Sequence, residues 1–472
     1  MTTARSPLAS DVPYTSTGRA FWTMDRVATA LEACATIPLP RGAREFRGVS
    51  TDTRLIVPDT LFVALEGEQF DAHDFLADAV AAGASALVIS DAARAANLGV
   101  PVYVVHDTRV ALGALANFRR RAWGKPVIAI GGSNGKTSTK AMLAAMLSGA
   151  YEVHATPGNL NNEIGVPLTL LSVPDHADLA VIEAGTNMPG EIARLRAIIA
   201  PDVTVITSIG EEHLEGLGDI AGVLREELEL TVNVPVVVTP ATHPEVAAAV
   251  RGDAQQVVIA GLDDGHMQPL RWQLEPDGSG TLMFEDGELH IPLRGVHNLR
   301  NAMLAVTVCR GFGVTLPQMQ AGLARMVPPS MRAAVDRVGD ALLVNDAYNA
   351  NPPSVRAALD LLEAVGTGRP LVAILGTMRE LGAAADAMHD AIARDAIARP
   401  LAVIVGIGDV AAALRRVAPD DPRLILADDA PAAEEELLRR CARNAAVLLK
   451  GSRGVRLERL VAPITRWATA AS

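Results

Sequence analysis

Lys136 and Thr137 stand directly behind a glycine, inside the run Pro126-Val-Ile-Ala-Ile-Gly-Gly-Ser-Asn-Gly-Lys-Thr-Ser-Thr-Lys140. An ammonium on a flexible arm beside a hydroxyl suits phosphate chemistry. The lysine can follow a transferring phosphoryl group, and the hydroxyl sits where Mg²⁺ bridges the β- and γ-phosphates. Gly132 and Gly135 let backbone N–H groups converge on an anion, and Ser133, Asn134 and Ser138 belong to the same loop and first helical turn. The helix that follows adds the positive end of its dipole. In the longer form of this motif a further glycine falls where this chain has Ile130. A plain strand-to-helix turn is the bland alternative, but the surroundings favour ATP.

Other candidates also follow apolar runs. Glu183 ends Leu179-Ala-Val-Ile-Glu, and a carboxylate at the carboxyl end of a parallel strand is a Mg²⁺ ligand or a helix cap. His213 lies in Thr207-Ser-Ile-Gly-Glu-Glu-His-Leu, just past another strand, as a structural hydrogen-bonder or a neighbour of the phosphates. Asn159-Leu-Asn-Asn162 is rich in amides that suit neutral hydrogen bonds to a substrate. Asn298 and Asn301 share a helix face, where they either read a purine edge or cap the helix. Asn345-Asp-Ala-Tyr348-Asn349-Ala-Asn-Pro352 and Lys450-Gly-Ser-Arg453 follow strands of the last third as binding loops. In the polar loop Ser50-Thr-Asp52-Thr-Arg54, a surface ion pair and a grip on a sugar nucleotide are equally open.

The elements that must position these residues alternate. From Phe21 to Leu98, short strands and alanine-rich helices make a small α/β unit. Between residues 124 and 328, apolar strands separated by helices predict a parallel sheet covered on both faces. Runs broken at Asp277-Gly278 and Asp286-Gly287 add an antiparallel meander. After Val327-Pro-Pro-Ser330 the alternation resumes as a doubly wound, Rossmann-like sheet. The expected domains are 21–123, 124–328 and 329–472, behind a disordered extension over residues 1–20. A net charge of −12 argues against nucleic acid as a partner. No apolar run is long enough for a membrane span, and three scattered cysteines suit a reducing cytoplasm. Lysine occurs only at Lys125, Lys136, Lys140 and Lys450, so the other 38 of the 42 basic residues are arginine. A GC-rich genome that pushes codons toward arginine is the bland cause, with Lys125 simply exposed. The alternative is that a surviving lysine such as Lys136 marks a place where a planar guanidinium would not serve.

Taken as a set, the motifs resemble the Mur ligases. The resemblance rests on Gly-Ser-Asn-Gly-Lys-Thr, Asn-x-Asn-Asn-x-Ile-Gly-Val-Pro, Glu-x-Gly-x-Asn-x-Pro-Gly-Glu-Ile, His213-Leu-Glu-Gly, Gly-x-His-Asn-x-x-Asn, Tyr-Asn-Ala-Asn-Pro and Lys-Gly-Ser-Arg, in order. Tyr-Asn-Ala-Asn-Pro, with Ser-Thr-Asp-Thr-Arg and Phe-Asp-Ala-His-Asp-Phe, points to the branch that joins D-alanyl-D-alanine to UDP-N-acetylmuramoyl-tripeptide. The resemblance implies a P-loop ATPase-type central domain, ATP and Mg²⁺, and an acyl phosphate on the tripeptide. A monomer is expected. By the same resemblance Lys136 and Thr137 hold phosphates and a first Mg²⁺, and Glu183 and His213 a second. Asn298, Asn301, Arg332 and Asp346 face ATP. Ser50, Asp52, Arg54, Asn159 and Asn162 face the UDP-sugar peptide, and Tyr348, Asn349 and Lys450 the reacting termini. Where the family carries a carbamylated lysine that helps to hold the metal, this chain has Glu227, expected to replace it, with Glu226 expected to be incidental. Gly131 stands in place of a usual threonine, Met188 of a histidine, and Asn345 and Thr377 of aspartates. A ligase for another amino substrate and a nucleotide-binding scaffold are the alternatives.

Overall fold

The computed structural model describes residues 20–67, 70–95, 98–250 and 256–470. Residues 1–19 of the expected disordered extension lie outside them. The chain divides into two compact units. One holds the described residues up to Ile128 with His154–Ala184 and Ala193–Pro201; the other holds Ala129–Val153, Gly185–Ile192 and everything from Asp202 onward.

In the first unit, Gly48–Ser50, Thr60–Val63, Ala84–Ile89 and Val102–Val104 pair in that order as a parallel sheet. Thr60–Val63 and Ala84–Ile89 are buried along their whole length, as central parallel strands must be. The helix Thr108–Trp123 is started by Asp107, whose carboxylate accepts the N–H groups of Arg109 and Val110. It ends at Gly124 in the left-handed region, φ 68°. Phe-Asp-Ala-His-Asp-Phe also has a structural job. Asp71 accepts from the His73 N–H and ring, and the buried ring accepts the N–H of Ser90, tying two loops together.

The second unit begins inside the strand Val127–Gly131, five buried residues that run straight into the glycine loop. Beside it Val203–Ile206, Val236–Pro240 and Gln256–Ala260 pair in parallel. The expected meander is present as Arg271–Leu274, Gly280–Phe284 and Gly287–Ile291, paired antiparallel. The last sheet runs Ala334–Val338, Ala341–Asp346, Ala446–Lys450, Leu371–Gly376, Val403–Ile407, Leu424–Ala427. All its pairs are parallel except the first, a hairpin the sequence did not announce. Its helices cover both faces, and apolar clusters lie on each side, one around Leu359, Ile392 and Leu448 and one around Ile374, Val405 and Leu449. Strand ends on one edge of this sheet deliver Asp346, Thr377 and Lys450.

Candidate active site

The glycines of the phosphate loop are required by what surrounds them. Gly132 has φ 109° and Gly135 φ 88°, the region that favours glycine. A Cβ on Gly132 would stand 2.5 Å from Thr207 Oγ1, and one on Gly135 2.6 Å from Asn301 Oδ1. The loop is pinned from the strand end at Val203–Ile206. Ser133 N–H donates to Ser208 O at 2.8 Å, Asn134 N–H to Ser208 Oγ at 2.9 Å, and Thr207 Oγ1 to Asn134 O at 2.6 Å. Gly132 N–H donates to Glu227 Oε2 at 2.6 Å. The helix Lys136–Leu147 then starts with its positive end at the loop, Ser138 buried in its first turn.

Lys136 folds over this loop. Its Nζ donates to Gly132 O and pairs with Glu212 Oε1 at 3.0 Å, both side chains largely buried. Glu212 thus holds the lysine's charge beside the loop, a role invisible without the fold although Glu212 precedes His213 in the sequence. His213 has φ 52° and caps the short helix Leu214–Leu217. Its Nδ1 faces the Glu380 carboxylate, and its Nε2 lies 3.9 Å from Glu212 Oε1. Burial pulls the His213 pKa down, but the Glu380 hydrogen bond and the two carboxylates outweigh it, so the imidazole holds its proton above the ordinary value.

Glu380 comes from the last sheet's side of the unit, at φ 63°, and its carbonyl accepts the Glu215 N–H at 3.2 Å. Asn351 Nδ2 also reaches across, to Asn134 Oδ1 at 3.0 Å, while its own Oδ1 caps the helix Pro352–Val365. Between these contacts lies a cavity of about 170 Å³ whose lining includes Glu212, His213, Asn349, Arg379, Glu380 and Arg453. His213 and Asn349 were singled out from sequence. Arg379 and Glu380 were not, although Thr377-Met-Arg-Glu follows a strand in the same way as the loops that were.

Several other candidates are engaged with one another. Asp346 Oδ2 pairs with Lys450 Nζ at 2.6 Å and its Oδ1 accepts the Ala333 N–H, so these two residues form a largely buried ion pair. The Arg332 guanidinium stacks over the Tyr348 ring at 4.1 Å. Asn298 Nδ2 donates to Arg294 O, and Asn301 Nδ2 to Asn298 Oδ1. The two amides are bonded to each other, and Asn301 lies against the phosphate loop at Gly135. His297, half-buried beside them, has its pKa pulled down to about 4 by burial.

In the first unit Glu183 is buried at its strand end, accepting from Asn161 Nδ2 at 3.0 Å. Asn162 Oδ1 takes the N–H groups of Ile164 and Gly165 at the start of Gly165–Leu171, and Asn159 is exposed. Asp52 accepts both the backbone and the guanidinium of Arg54, while Ser50 Oγ donates to Asp52 O. The surface ion pair is what the loop forms.

Glu227 is 1% exposed, and burial pushes its carboxyl up to about 7, with Lys136 and the Gly132 N–H opposing. Its Oε1 has no hydrogen-bond partner among the described residues. Glu226 is not incidental: its carboxylate takes the N–H groups of Gly190 at 2.7 Å and Ile192 at 2.8 Å, anchoring the start of Glu191–Ile199. Oxygen donors that suit Mg²⁺ are present in Thr137, Glu183 and Glu227. Among the described residues no three His, Cys, Asp or Glu side chains form a ready metal cage.

Residues 45–120 match the catalytic domain of the Mur ligase family, residues 130–309 the Mur ligase middle domain, and residues 332–453 the Mur ligase glutamate ligase domain. The chain belongs to the Mur ligase family. It is 34% identical over 447 residues to the UDP-N-acetylmuramoyl-tripeptide–D-alanyl-D-alanine ligase of Escherichia coli, covering 88% of this chain and 92% of that one. A crystal structure of MurF from Acinetobacter baumannii aligns with TM-score 0.85 and 30% identity, over 94% of this chain and 99% of that one. MurF ligase from Thermotoga maritima in complex with ADP aligns with TM-score 0.79 and 25% identity, over 89% and 97%. The three-domain Mur ligase fold read from the sequence is therefore the fold of this chain. Within this Mur ligase two of the unusual positions have settled local partners. Thr377 Oγ1 accepts the Asp409 N–H at 2.9 Å, Asn345 Oδ1 accepts the Ala347 N–H at 3.3 Å, and Met188 is half exposed.

Proposed function

We propose that this chain is an ATP-dependent peptide ligase that joins D-alanyl-D-alanine to the terminal carboxylate of UDP-N-acetylmuramoyl-tripeptide, giving ADP and phosphate. The observation that carries the reading is the glycine-locked phosphate loop with Lys136 held over it by Glu212, which also lines the cavity shared with Asn349, Arg379 and Glu380. A carboxylate oxygen of the tripeptide attacks the γ-phosphorus, and the bond to the β–γ bridging oxygen breaks as ADP leaves. The amine of D-alanyl-D-alanine then attacks the acyl carbon, phosphate departs, and the amine loses a proton.

Lys136 would exchange its Glu212 partner for phosphate oxygens and spread the charge of the transferring group. Asn134, braced by Asn351, and the amides of Asn298 and Asn301 would keep the loop rigid, while Arg332 and the Asp346–Lys450 pair present polar groups to the nucleotide and substrate. Asn349, Tyr348 and Arg379 would orient the reacting ends, whose close approach supplies much of the rate. By the family resemblance we assign Thr137, Glu183 and His213 to Mg²⁺, with Glu227 Oε1 as a further oxygen donor. The ion, when bound, neutralises phosphate charge. Ser50, Asp52, Arg54, Asn159 and Asn162 are assigned to the UDP end on the same basis. Three unpaired cysteines suit a cytoplasmic setting, and we expect a monomer.

The test is ADP release with UDP-tripeptide, comparing D-alanyl-D-alanine with single amino acids. Release that demands the dipeptide supports the reading. Release with a single amino acid replaces it by a ligase of different specificity, and no release with any acceptor leaves only nucleotide binding.

A further inference from the structure

We propose that Gly131 and Glu227 act as one positioning pair that presets the phosphate loop for nucleotide, independently of any metal. The inference rests on the reading of that loop as the ATP site. Gly131 closes the strand Val127–Gly131 and is not among the residues with positive φ, so the backbone does not require a glycine there. Glycine weakens a strand interior unless something must come close. Here the something is Glu227: a Cβ on residue 131 would lie 2.8 Å from Glu227 Oε2 and 2.8 Å from Leu230 Cδ2. The same Oε2 accepts the Gly132 N–H at 2.6 Å, across 95 residues of sequence. A side chain at 131 would crowd the carboxylate that holds that N–H, and either it or Leu230 would have to shift.

The bond completes a series. The N–H groups of Gly132, Ser133 and Asn134 are held in succession, by Glu227 and then by Ser208 O and Oγ. The loop is ordered before the anion arrives, so binding does not have to supply that ordering. Glu227 can do this because its helix, Ile220–Leu228, is itself fastened at the next residue, where Glu226 holds Gly190 and Ile192. A carboxylate on a loose helix would not fix a backbone.

ADP affinity measured by calorimetry on the full chain, with EDTA present, separates this role from metal binding. Glu227→Ala and Gly131→Ala should each weaken metal-free ADP binding about tenfold, as for a lost charge-assisted hydrogen bond. The double variant should bind no worse than the weaker single. Glu227→Gln keeps an oxygen for the Gly132 N–H and should regain most of the affinity. Unchanged metal-free binding by Glu227→Ala, or losses that simply add in the double variant, would overturn the pairing. If Glu227→Ala does not fold, Gly131→Ala placed in wild-type and Glu227→Gln backgrounds decides by the same logic. A wild-type chain that binds no ADP would remove the phosphate-loop reading itself, and the inference with it.

Discussion

Lys136 is the residue on which turnover should depend most. Lys136→Ala removes the mobile charge but leaves the backbone cradle, and kcat should fall at least ~10²-fold. Wild-type ADP release from that variant would exclude the assigned role. His297 gives a pH signature. Its folded pKa of about 4 lies below the ordinary histidine value, so the unfolded chain takes up its proton first as pH falls. Its contribution to stability is complete above about pH 6.5 and drains away toward about pH 4. Asp346, Lys450, Arg300 and Asp360 surround it, and Glu227, raised to about 7, acts with the opposite sign. The comparison that matters is therefore between variants: the urea midpoint of His297→Asn should climb less steeply across that window than the wild type's. Parallel profiles would mean that the imidazole titrates normally. At this scale the sequence disclosed residue types and the strand ends they follow, but not which of them spend their polarity on each other. The Asp346–Lys450 pair joins positions 104 apart, and nothing in either motif names the other.

Helix Ile220–Leu228 shows what a single element can hide. Read alone, its Arg-Glu-Glu-Leu-Glu stretch looks like a solvated face with one interesting acid. In the fold, two consecutive carboxylates turn inward and each fastens a different backbone segment. Glu226→Ala, which strands one buried and one half-buried N–H group, should lower stability by about 1–3 kcal/mol. Urea unfolding measures it, and a loss below about 0.5 kcal/mol would return Glu226 to the incidental part first expected of it. Buried parallel strands were legible because a short, wholly apolar run between turn signals has few other fates. The hairpin strand Ala334–Val338 was not legible. It is half exposed and is entered through Met331 and Ala333, both at positive φ without being glycines, so no turn signal marks its start. The amides of Asn298 and Asn301 illustrate the converse: their helical spacing was plain, but the neighbour Asn301 faces, the glycine loop at Gly135, lies far away in the sequence.

At the scale of the whole chain, the phosphate loop and the last sheet meet within one unit through Asn351–Asn134, His213–Glu380 and the Glu380–Glu215 backbone bond. A nucleotide that touches both sides should favour this arrangement over a more open one. Small-angle scattering should therefore show a larger radius of gyration for the Asn351→Ala, Glu380→Ala double variant, returning toward the wild-type value with a non-hydrolysable ATP analogue and UDP-tripeptide. A variant that scatters like the wild type throughout would mean these contacts do not hold the arrangement. The scarcity of lysine has a practical corollary. Lys140 and Lys450 are buried, Lys136 is mostly covered, and Lys125 is occupied by the carbonyls of Asp175 and Ala177. An amine-reactive dye would thus find few ε-amino groups on a chain of this size. A fluorophore count per molecule, taken with and without ATP, would read the shielding of one loop against an almost dark background.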